Sequence, residues 1–500
     1  MPVARSSPGL PLPTGAVSRA AGSPVVQGNA VTLQFEGPVA FDTWIEAISQ
    51  AERFVHFENY ILRDDPVGHR FREALIERAQ AGITVRVLYD WMGCWATPRR
   101  FWKPFREAGI DVRAFNRPSL RDPFGLLQRD HRKLVAVDGR VAFLGGFCIG
   151  QEWAGTPTSP PWRDTGVEIR GPGAAVAGRT FERIWAETGD PVDPACQVDP
   201  AGVAPEGESP VWLIEGVPWR TRVYRVTQLM AAAAQERIWI TDPYFVAPRA
   251  VRESLAEAAR DGVDVRILVP AHNNWPWVGS LSRSGYRFLL EAGVRIFEWE
   301  GPMIHAKTAV VDGAWCRVGS SNLNSASLLG NWELDAGIHD RELASQVQGL
   351  FLADLASSVE ILLPGAATAR DRKRVREAKG EAELIDEPTL AARIRRWGPG
   401  APGAQTLTLA DLFRAGSSLG DAIAGSRVVG REDRAVLTTL TLTLLAGALL
   451  LALFPRMLAW SLAVIFGWLG GVLAIRGLVQ RARARRALRA VSRTPPRGDA

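Results

Sequence analysis

Short runs of β-branched and aromatic residues alternate with longer amphipathic segments from residue 31 to about residue 364. Residues 53–61 and 83–90 have the composition of strands, and residues 71–79 between them have the spacing of an amphipathic helix. This alternation is typical of an α/β sandwich, in which helices cover a sheet. It is preceded by residues 1–30, which are rich in Pro, Gly, Ser and Ala and which we expect to be a disordered lead-in.

The α/β region contains two copies of one pattern in the same order. The matching pairs of segments are 53–61 and 237–245, 72–88 and 252–268, 106–115 and 290–299, and 131–146 and 305–320. An internal repeat of this length indicates a duplicated structural unit. We therefore predict two tandem lobes, residues 31–195 and 205–364, that form a pseudo-two-fold body with a site at the seam between them.

The chain changes character beyond residue 364. A polar linker over residues 365–434 is followed by two apolar runs, 435–454 and 457–475, neither of which contains a charged residue. Each run is close to the ~20 residues that a helix needs to cross a bilayer, so residues 435–475 predict a transmembrane helical hairpin. A pair of buried core helices is the alternative. Arginines flank the hairpin on both sides, which predicts that both of its ends are cytoplasmic.

The positive charge of the chain is concentrated in its tail. The net charge is +6, but residues 476–500 contain eight arginines against Asp499, so the rest of the chain is close to neutral. A near-neutral body argues against binding of nucleic acid. The four cysteines are scattered without a Cys-x-x-Cys spacing, which excludes a disulfide scaffold and a cysteine-based zinc site.

A His-x-Lys-x4-Asp motif occurs once in each copy of the repeat, with equal spacing to a following Gly-Gly or Gly-Ser pair. One such His-x-Lys pair is usually a surface accident, whereas two at matching positions indicate a site. A lysine neutralises phosphate oxygens, and a neighbouring imidazole attacks phosphorus or carries a proton. The motif residues are His131, Lys133 and Asp138 in the first copy, and His305, Lys307 and Asp312 in the second.

These motifs resemble the paired signatures of the phospholipase D superfamily, and in particular those of bacterial cardiolipin synthases. The resemblance covers roughly residues 30–364 and is carried by the stretches 129–146, 162–172, 240–248, 303–313 and 318–334. It implies a two-lobed fold in which the two histidines face each other across the seam. One histidine would form a phosphohistidine, and the other would protonate the leaving alkoxide and deprotonate the acceptor, without a metal or cofactor. By family habit His131 is the nucleophile and His305 the acid/base, although the residues themselves leave the two roles interchangeable.

Several further side chains are candidates for supporting roles. A nucleophilic histidine must be neutral and held in one tautomer, and Asp164 and Glu333 are the candidate acceptors for the second ring nitrogen. We expect Asp138 and Asp312 to fix local geometry rather than to contact substrate. The candidate ligands of the phosphate oxygens are Lys133, Lys307, Ser320 and Asn322.

Two other features stand out, a cysteine and two clusters of tryptophans. The family usually carries asparagine where this chain has Cys148, which we interpret as a small buried side chain. Tryptophans cluster at 91, 95 and 102 and again at 275 and 277, where they could line a headgroup pocket, dip into a membrane interface or pack in the core.

The leading functional hypothesis is a phosphatidyltransferase that makes cardiolipin from two phosphatidylglycerol molecules, or with phosphatidylethanolamine as the donor. The alternatives are a phospholipase D-type hydrolase, a nuclease of the same superfamily, which the charge distribution disfavours, and a non-enzymatic scaffold. The predicted location is the bacterial inner membrane, with the catalytic body on the cytoplasmic side and the C-terminal hairpin as the anchor. The predicted partners are phospholipids and the membrane; the sequence does not indicate an oligomeric state.

Overall fold

The structure is a computed structural model that describes residues 13–118 and 128–363. The predicted polar linker, hairpin and basic tail, and the first twelve residues of the predicted lead-in, lie outside the described residues. Within the described part, no helix is both long enough and apolar enough to cross a membrane.

The strands of the two lobes join in one mixed sheet. The first lobe contains β1 (Val26–Gln34), β2 (Phe54–Asn59), β3 (Thr84–Asp90), β4 (Asp111–Phe115), β5 (Lys133–Val137), β6 (Val141–Gly145) and β7 (Gly166–Arg170). The second lobe contains β8 (Ser209–Gly216), β9 (Arg237–Thr241), β10 (Asp264–Pro270), β11 (Arg295–Trp299), β12 (Thr308–Val311), β13 (Trp315–Gly319), β14 (Glu333–Ile338) and β15 (Ser358–Ile361). The strand and helix predictions for residues 53–61, 83–90 and 71–79 are confirmed by β2, β3 and the helix between them.

The order of the strands repeats from one lobe to the other. The sheet runs β15-β11-β10-β9-β12-β13-β14-β8-β1-β7-β6-β5-β2-β3-β4 through the described residues. Each strand from β1 to β7 therefore has a counterpart from β8 to β14 at the mirrored place in the order. The antiparallel pair β1 and β8 stands where the two halves meet, so the sheet has the pseudo-two-fold arrangement that the repeat predicts.

Helices cover both faces of this sheet. In the first lobe they are α1 (Thr14–Ala21), α2 (Gly37–Ser49), α3 (Pro66–Gln80), α4 (Lys103–Glu107), α5 (Gln151–Ala154) and α6 (Pro172–Ala186). In the second lobe they are α7 (Arg222–Ala233), α8 (Arg249–Arg260), α9 (Pro276–Ser284), α10 (Tyr286–Glu291) and α11 (Arg341–Leu355). Both α6 and α11 share one core with strands of both lobes, whereas α2 and α3 pack in a core of the first lobe, and α7 and α8 in a core of the second.

Residues 13–30 correct the prediction of a disordered lead-in. The helix α1 buries Val17, Ala20 and Ala21 against the core of the second lobe, and β1 pairs with β7 and β8. The apolar surface of α1 comes largely from alanines, which contribute little to a hydropathy pattern but fit closely against a neighbouring helix. The order of this stretch therefore comes from tertiary packing and strand pairing rather than from local sequence.

Candidate active site

Each histidine of the repeated motif is held by the backbone of the opposite lobe. The amide of His131 donates to the carbonyl of Trp332 at 2.9 Å, and the amide of Trp332 donates to the carbonyl of Arg129 at 2.8 Å. At the equivalent place, the amide of His305 donates to the carbonyl of Arg163 at 2.6 Å. The strands β5 and β12 begin at Lys133 and Thr308, so both histidines lie just before the strands. The residue before each histidine, Asp130 or Ile304, forms an isolated β-bridge to the other lobe.

The two candidate carboxylates contact the histidines in an exchanged arrangement. Nδ1 of His131 lies 2.9 Å from Oε2 of Glu333, which belongs to the second lobe. Nδ1 of His305 lies 2.6 Å from Oδ2 of Asp164, which belongs to the first lobe. All four side chains are buried. Each lobe therefore supplies the carboxylate that holds the histidine of the other lobe.

Further hydrogen bonds fix the position of Glu333. Its Oε2 accepts from the hydroxyl of Ser320 at 2.6 Å, and its Oε1 accepts from the side-chain amide of Asn331 at 3.3 Å. The same Ser320 hydroxyl accepts from the amide of Leu334 at 2.9 Å. The hydroxyl of Ser320 therefore supports the carboxylate that holds His131, and its predicted contact with a phosphate oxygen stays a prediction.

The surroundings of Asp164 are different. Its Oδ2 accepts from the indole nitrogen of Trp153 at 2.8 Å as well as from His305, and its Oδ1 accepts from the amide of Thr165 at 2.8 Å. A Cβ atom at Gly146 would lie 1.9 Å from Oδ1 of Asp164, so only glycine fits there. Ser320 occupies the equivalent position in the second motif. Gly146, the second glycine of the Gly-Gly pair, thus leaves room for the carboxylate that holds His305.

Burial keeps both imidazoles neutral. It lowers the pKa of His131 to about 4, with Glu333 acting in the opposite direction, and lowers the pKa of His305 to about 3, with Lys307 adding to the effect. A neutral imidazole that donates from Nδ1 keeps Nε2 unprotonated and able to attack or to accept a proton.

Both carboxylates are ionised at neutral pH. Burial alone would raise the pKa of Asp164, but His305 and Lys307 outweigh it and bring the value down to about 2. The pKa of Glu333 is lowered in the same way, because His131 and Lys133 outweigh the effect of burial. An ionised carboxylate next to each ring favours the imidazolium that forms whenever the histidine takes up a proton.

The two motif lysines are buried beside the histidines. The ammonium groups of Lys133 and Lys307 each donate to the carbonyl oxygen of the histidine two residues earlier in the chain. Burial lowers the pKa of Lys307 to about 8, so this lysine is mainly protonated at neutral pH. Nζ of Lys133 also lies 5.1 Å from the ring centroid of Tyr60, within the range of a cation–π contact.

A cavity of about 380 Å³ opens onto both histidines. Its wall includes Cys148 and Asn322, which occupy equivalent places after the two motifs. Burial raises the pKa of the Cys148 thiol to about 11, which agrees with its interpretation as a small uncharged side chain. The aromatic side chains of the wall are Tyr60, Trp95, Trp153, Trp162, Tyr244 and Trp275.

Two tyrosines of this wall were missed by the sequence analysis. The ring of Tyr60 meets His131 edge-on with centroids 4.8 Å apart, and the ring of Tyr244 meets His305 with centroids 5.9 Å apart. Both occupy the same position in the matching segments 53–61 and 237–245. That coincidence within the repeat is the signal that could have found them.

Asp138 and Asp312 lie outside the wall of the cavity. Asp138 has a φ of 56°, and its carboxylate accepts from the amides of Glu52, Arg53 and Phe54 at 2.8–2.9 Å. Asp312, with a φ of 50°, accepts in the same way from three successive amides that lead into β9, those of residues 235–237. Each aspartate therefore fixes the start of the strand that pairs with the strand following its own motif histidine. The contacts that the two carboxylates make here are structural.

Comparison with known proteins identifies the family to which this chain belongs. The sequence profile described as "Cardiolipin synthase, PLD-like domain" matches residues 44–152 and 227–355. Cardiolipin synthase A of Pseudomonas aeruginosa (strain PAO1) is 33% identical over 376 residues, which cover 72% of this chain and 73% of that protein. The chain belongs to the cardiolipin synthase family. It is therefore a phosphatidyltransferase of the phospholipase D superfamily.

Other relatives agree with this assignment. Cardiolipin synthase of Halalkalibacterium halodurans is 32% identical over 351 residues, covering 69% of each chain. Among solved structures, phosphatidylserine synthase of Haemophilus influenzae Rd KW20 superimposes with a TM-score of 0.58 at 15% identity, covering 76% of this chain and 98% of that one. This second likeness concerns the fold.

Within residues 13–118 and 128–363, no three His, Cys, Asp or Glu side chains are grouped so as to hold a metal ion.

Proposed function

We propose that this chain makes cardiolipin through a phosphohistidine intermediate. Nε2 of His131 attacks the phosphorus of a phospholipid phosphodiester, and the bond from phosphorus to the headgroup oxygen breaks. His305, protonated beside Asp164 when the anionic phosphodiester binds, gives its proton to the departing alkoxide. The neutral His305 then takes the proton of an incoming lipid hydroxyl, which attacks the phosphohistidine and releases His131. The exchanged pairing of carboxylates and histidines, which holds both imidazoles ready at one cavity, is the observation that supports a mechanism with two histidines. The assignment of the nucleophile to His131 follows the resemblance to the family.

The lysines and Asn322 suit the phosphate itself. Lys307 and Lys133 place two buried ammonium groups at the histidines, where they would neutralise the charge that develops on the phosphoryl oxygens. Asn322 faces the cavity, and its side-chain oxygen has no hydrogen-bond partner among the described residues. Its Nδ2 donates to Oγ of Ser327 at a long 3.4 Å, and this N–H group is the one that would turn to a phosphate oxygen.

The size of the cavity favours entry of the polar part of a lipid. A volume of about 380 Å³ suits a small molecule, so a glycerophosphate headgroup fits inside while the acyl chains remain outside. We propose phosphatidylglycerol as the acceptor, and phosphatidylglycerol or phosphatidylethanolamine as the donor. The relatives are named cardiolipin synthases, which supports this choice.

The test is to express the chain in cells that lack other cardiolipin synthases and to analyse their lipids by mass spectrometry. Cardiolipin should appear, and it should be absent with His131→Ala or His305→Ala. Accumulation of phosphatidic acid in place of cardiolipin would show that water is the acceptor, which is the hydrolase alternative. Reactions with phospholipid labelled at phosphorus, quenched in denaturing detergent at alkaline pH because the P–N bond of a phosphohistidine is acid-labile, should leave label on His131. Label on neither histidine with activity intact would contradict the covalent mechanism.

We propose further that residues 435–475 anchor the enzyme in the bacterial inner membrane as a hairpin, with the catalytic body on the cytoplasmic side. The two uncharged apolar runs and the arginines on both sides support this topology. A reporter fused after Ala500 should read cytoplasmic. An external reading would contradict the hairpin.

A further inference from the structure

A tryptophan on the surface of the second lobe is exposed without a packing role. Trp219 lies in the turn between β8 and α7, and 79% of its surface is exposed to solvent. Its backbone has a φ of 66°, in the left-handed region where a bulky side chain is strained. A large apolar ring that is exposed and sits on a strained backbone gains little from packing within the described residues, which makes it a candidate for contact with another surface.

Unpaired positive charge surrounds this ring. Arg220 follows it directly and Arg225 lies on the first turns of α7, and both are exposed. Among the described residues neither has a carboxylate within ion-pair distance, and the nearby carboxylate of Glu215 is paired with Arg183. An exposed tryptophan with free arginines is the combination that favours the interface of an anionic bilayer, where the ring sits among the headgroups and the guanidinium groups meet phosphate.

The same turn is connected to the wall of the active-site cavity. The amide of Trp219 donates to the carbonyl of Leu329 at 2.9 Å. Leu329 belongs to the π-helix Ala326–Gly330, which also contacts α7. Two residues of this π-helix, Ala326 and Ser327, line the cavity. Trp219 is therefore fixed to the segment that forms one side of the cavity.

The opposite lobe places a second exposed tryptophan at the cavity. Trp95 lines the cavity and is 56% exposed, so it lies at the mouth rather than in the interior. Trp95 thus lies at the mouth of the cavity, and residues 217–225 are bonded to a segment of its wall, so an exposed tryptophan of each lobe is connected to the same cavity.

We propose that residues 217–225 form a docking loop, in which Trp219, Arg220 and Arg225 bind the surface of an anionic phospholipid bilayer and set the cavity mouth against it. The proposal rests on phospholipid being the substrate, but it concerns a surface of the catalytic body that is separate from the C-terminal anchor. Because the loop is bonded to the π-helix, docking also fixes one wall of the cavity relative to the membrane.

A spin label next to Trp219 tests this contact directly. Thr221 makes no capping hydrogen bond at the start of α7, so Thr221→Cys keeps Trp219 in place. Cys94, Cys148, Cys196 and Cys316 are buried, which directs the label to the new thiol. With the full chain on phosphatidylglycerol/phosphatidylethanolamine vesicles, collisions of the label with a water-soluble nickel chelate should fall at least about threefold relative to detergent solution, and collisions with oxygen should rise.

Two matched variants complete the experiment. Ala201→Cys carries the label on an exposed turn beside Val198, which approaches Gly139 at the end of β5 remote from His131, and this label should remain fully accessible to the chelate. Adding Trp219→Ala to Thr221→Cys should restore chelate access at position 221. A Thr221 label that stays accessible on anionic vesicles, or that is protected equally with and without Trp219, would overturn the proposal. These readings do not depend on turnover, so a failure of the proposed reaction would be seen separately.

Discussion

Replacing Asp164 by Asn should disable His305, although the two residues belong to different lobes. Oδ2 of Asp164 accepts from both His305 and Trp153, and its Oδ1 accepts from the amide of Thr165. An asparagine can keep only one accepting oxygen, so its amide group must face a donor on the other side. The substitution therefore removes the charge beside His305 and also creates a donor–donor contact in a buried site.

The size of the effect follows from these two losses. A buried hydrogen bond to a charged group contributes about 1.5–3 kcal/mol, and an unmatched buried donor costs about 1–3 kcal/mol. Part of the second loss destabilises the fold rather than the transition state. We therefore expect the activation free energy of the step that uses His305 to rise by about 3 kcal/mol. At about 1.4 kcal/mol for each factor of ten, this corresponds to a rate loss of about two orders of magnitude.

A donor with an activated leaving group separates the two histidines. Phosphatidyl-p-nitrophenol releases an anion that needs no protonation, so formation of the phosphohistidine should survive the loss of His305. Asp164→Asn and His305→Ala should therefore both give a burst of nitrophenol followed by slow turnover. Glu333→Gln and His131→Ala should both lose the burst.

The comparison between variants tests the exchanged pairing itself. Asp164→Asn combined with His305→Ala should be no slower than His305→Ala alone, because residues that act as a unit are not additive. The exposed Asp42→Asn, which removes a surface ion pair with Arg70, is the control and should be close to wild type. If Asp164→Asn behaves like His131→Ala, the carboxylate serves the histidine of its own lobe and the pairing is refuted.

Three further changes test neighbouring contacts. Ser320→Ala should lower kcat about tenfold through Glu333 with little change in KM, and an unchanged kcat would contradict this role. Gly146→Ala should abolish activity and lower the melting temperature, because its methyl group would collide with Asp164, and wild-type activity would contradict the close approach. His56 is buried between two phenylalanine rings, and burial lowers its pKa to about 3. Near pH 6.5 only the unfolded chain takes up a proton at this histidine. Its contribution to the free energy of unfolding is therefore fully present above that pH and is lost as the pH drops toward 3. His56→Phe should therefore reduce the loss of unfolding free energy between pH 7.5 and pH 5 by about 2 kcal/mol in denaturant titrations, and an unchanged loss would contradict it.

The repeat made much of this site predictable. The matching His-x-Lys spacings identify which side chains come together. When a duplicated unit carries the same chemical motif in each copy, the simplest single site that uses both motifs lies where the two lobes meet. The same repeat places Tyr60 and Tyr244 at equivalent positions, and both lie against the histidines.

The exchange of Asp164 and Glu333 could not be predicted in the same way. Alternation along a strand says which face a side chain occupies, but it does not say which lobe that face will meet. The contact of Ser320 with Glu333 was hidden for a similar reason, because a hydroxyl near a phosphate motif fits a ligand and a neighbouring carboxylate equally well. The helix α1 could not be predicted from local sequence, because its packing partner, α7, lies some two hundred residues further along the chain.

The exchanged carboxylates make each half of the molecule chemically incomplete. A single lobe, produced alone, would present an imidazole whose partner acid is encoded in the missing half. Two such halves could regain function only by associating, each giving its carboxylate to the histidine of the other. In the joined chain a substitution at either carboxylate therefore acts on the histidine of the other lobe.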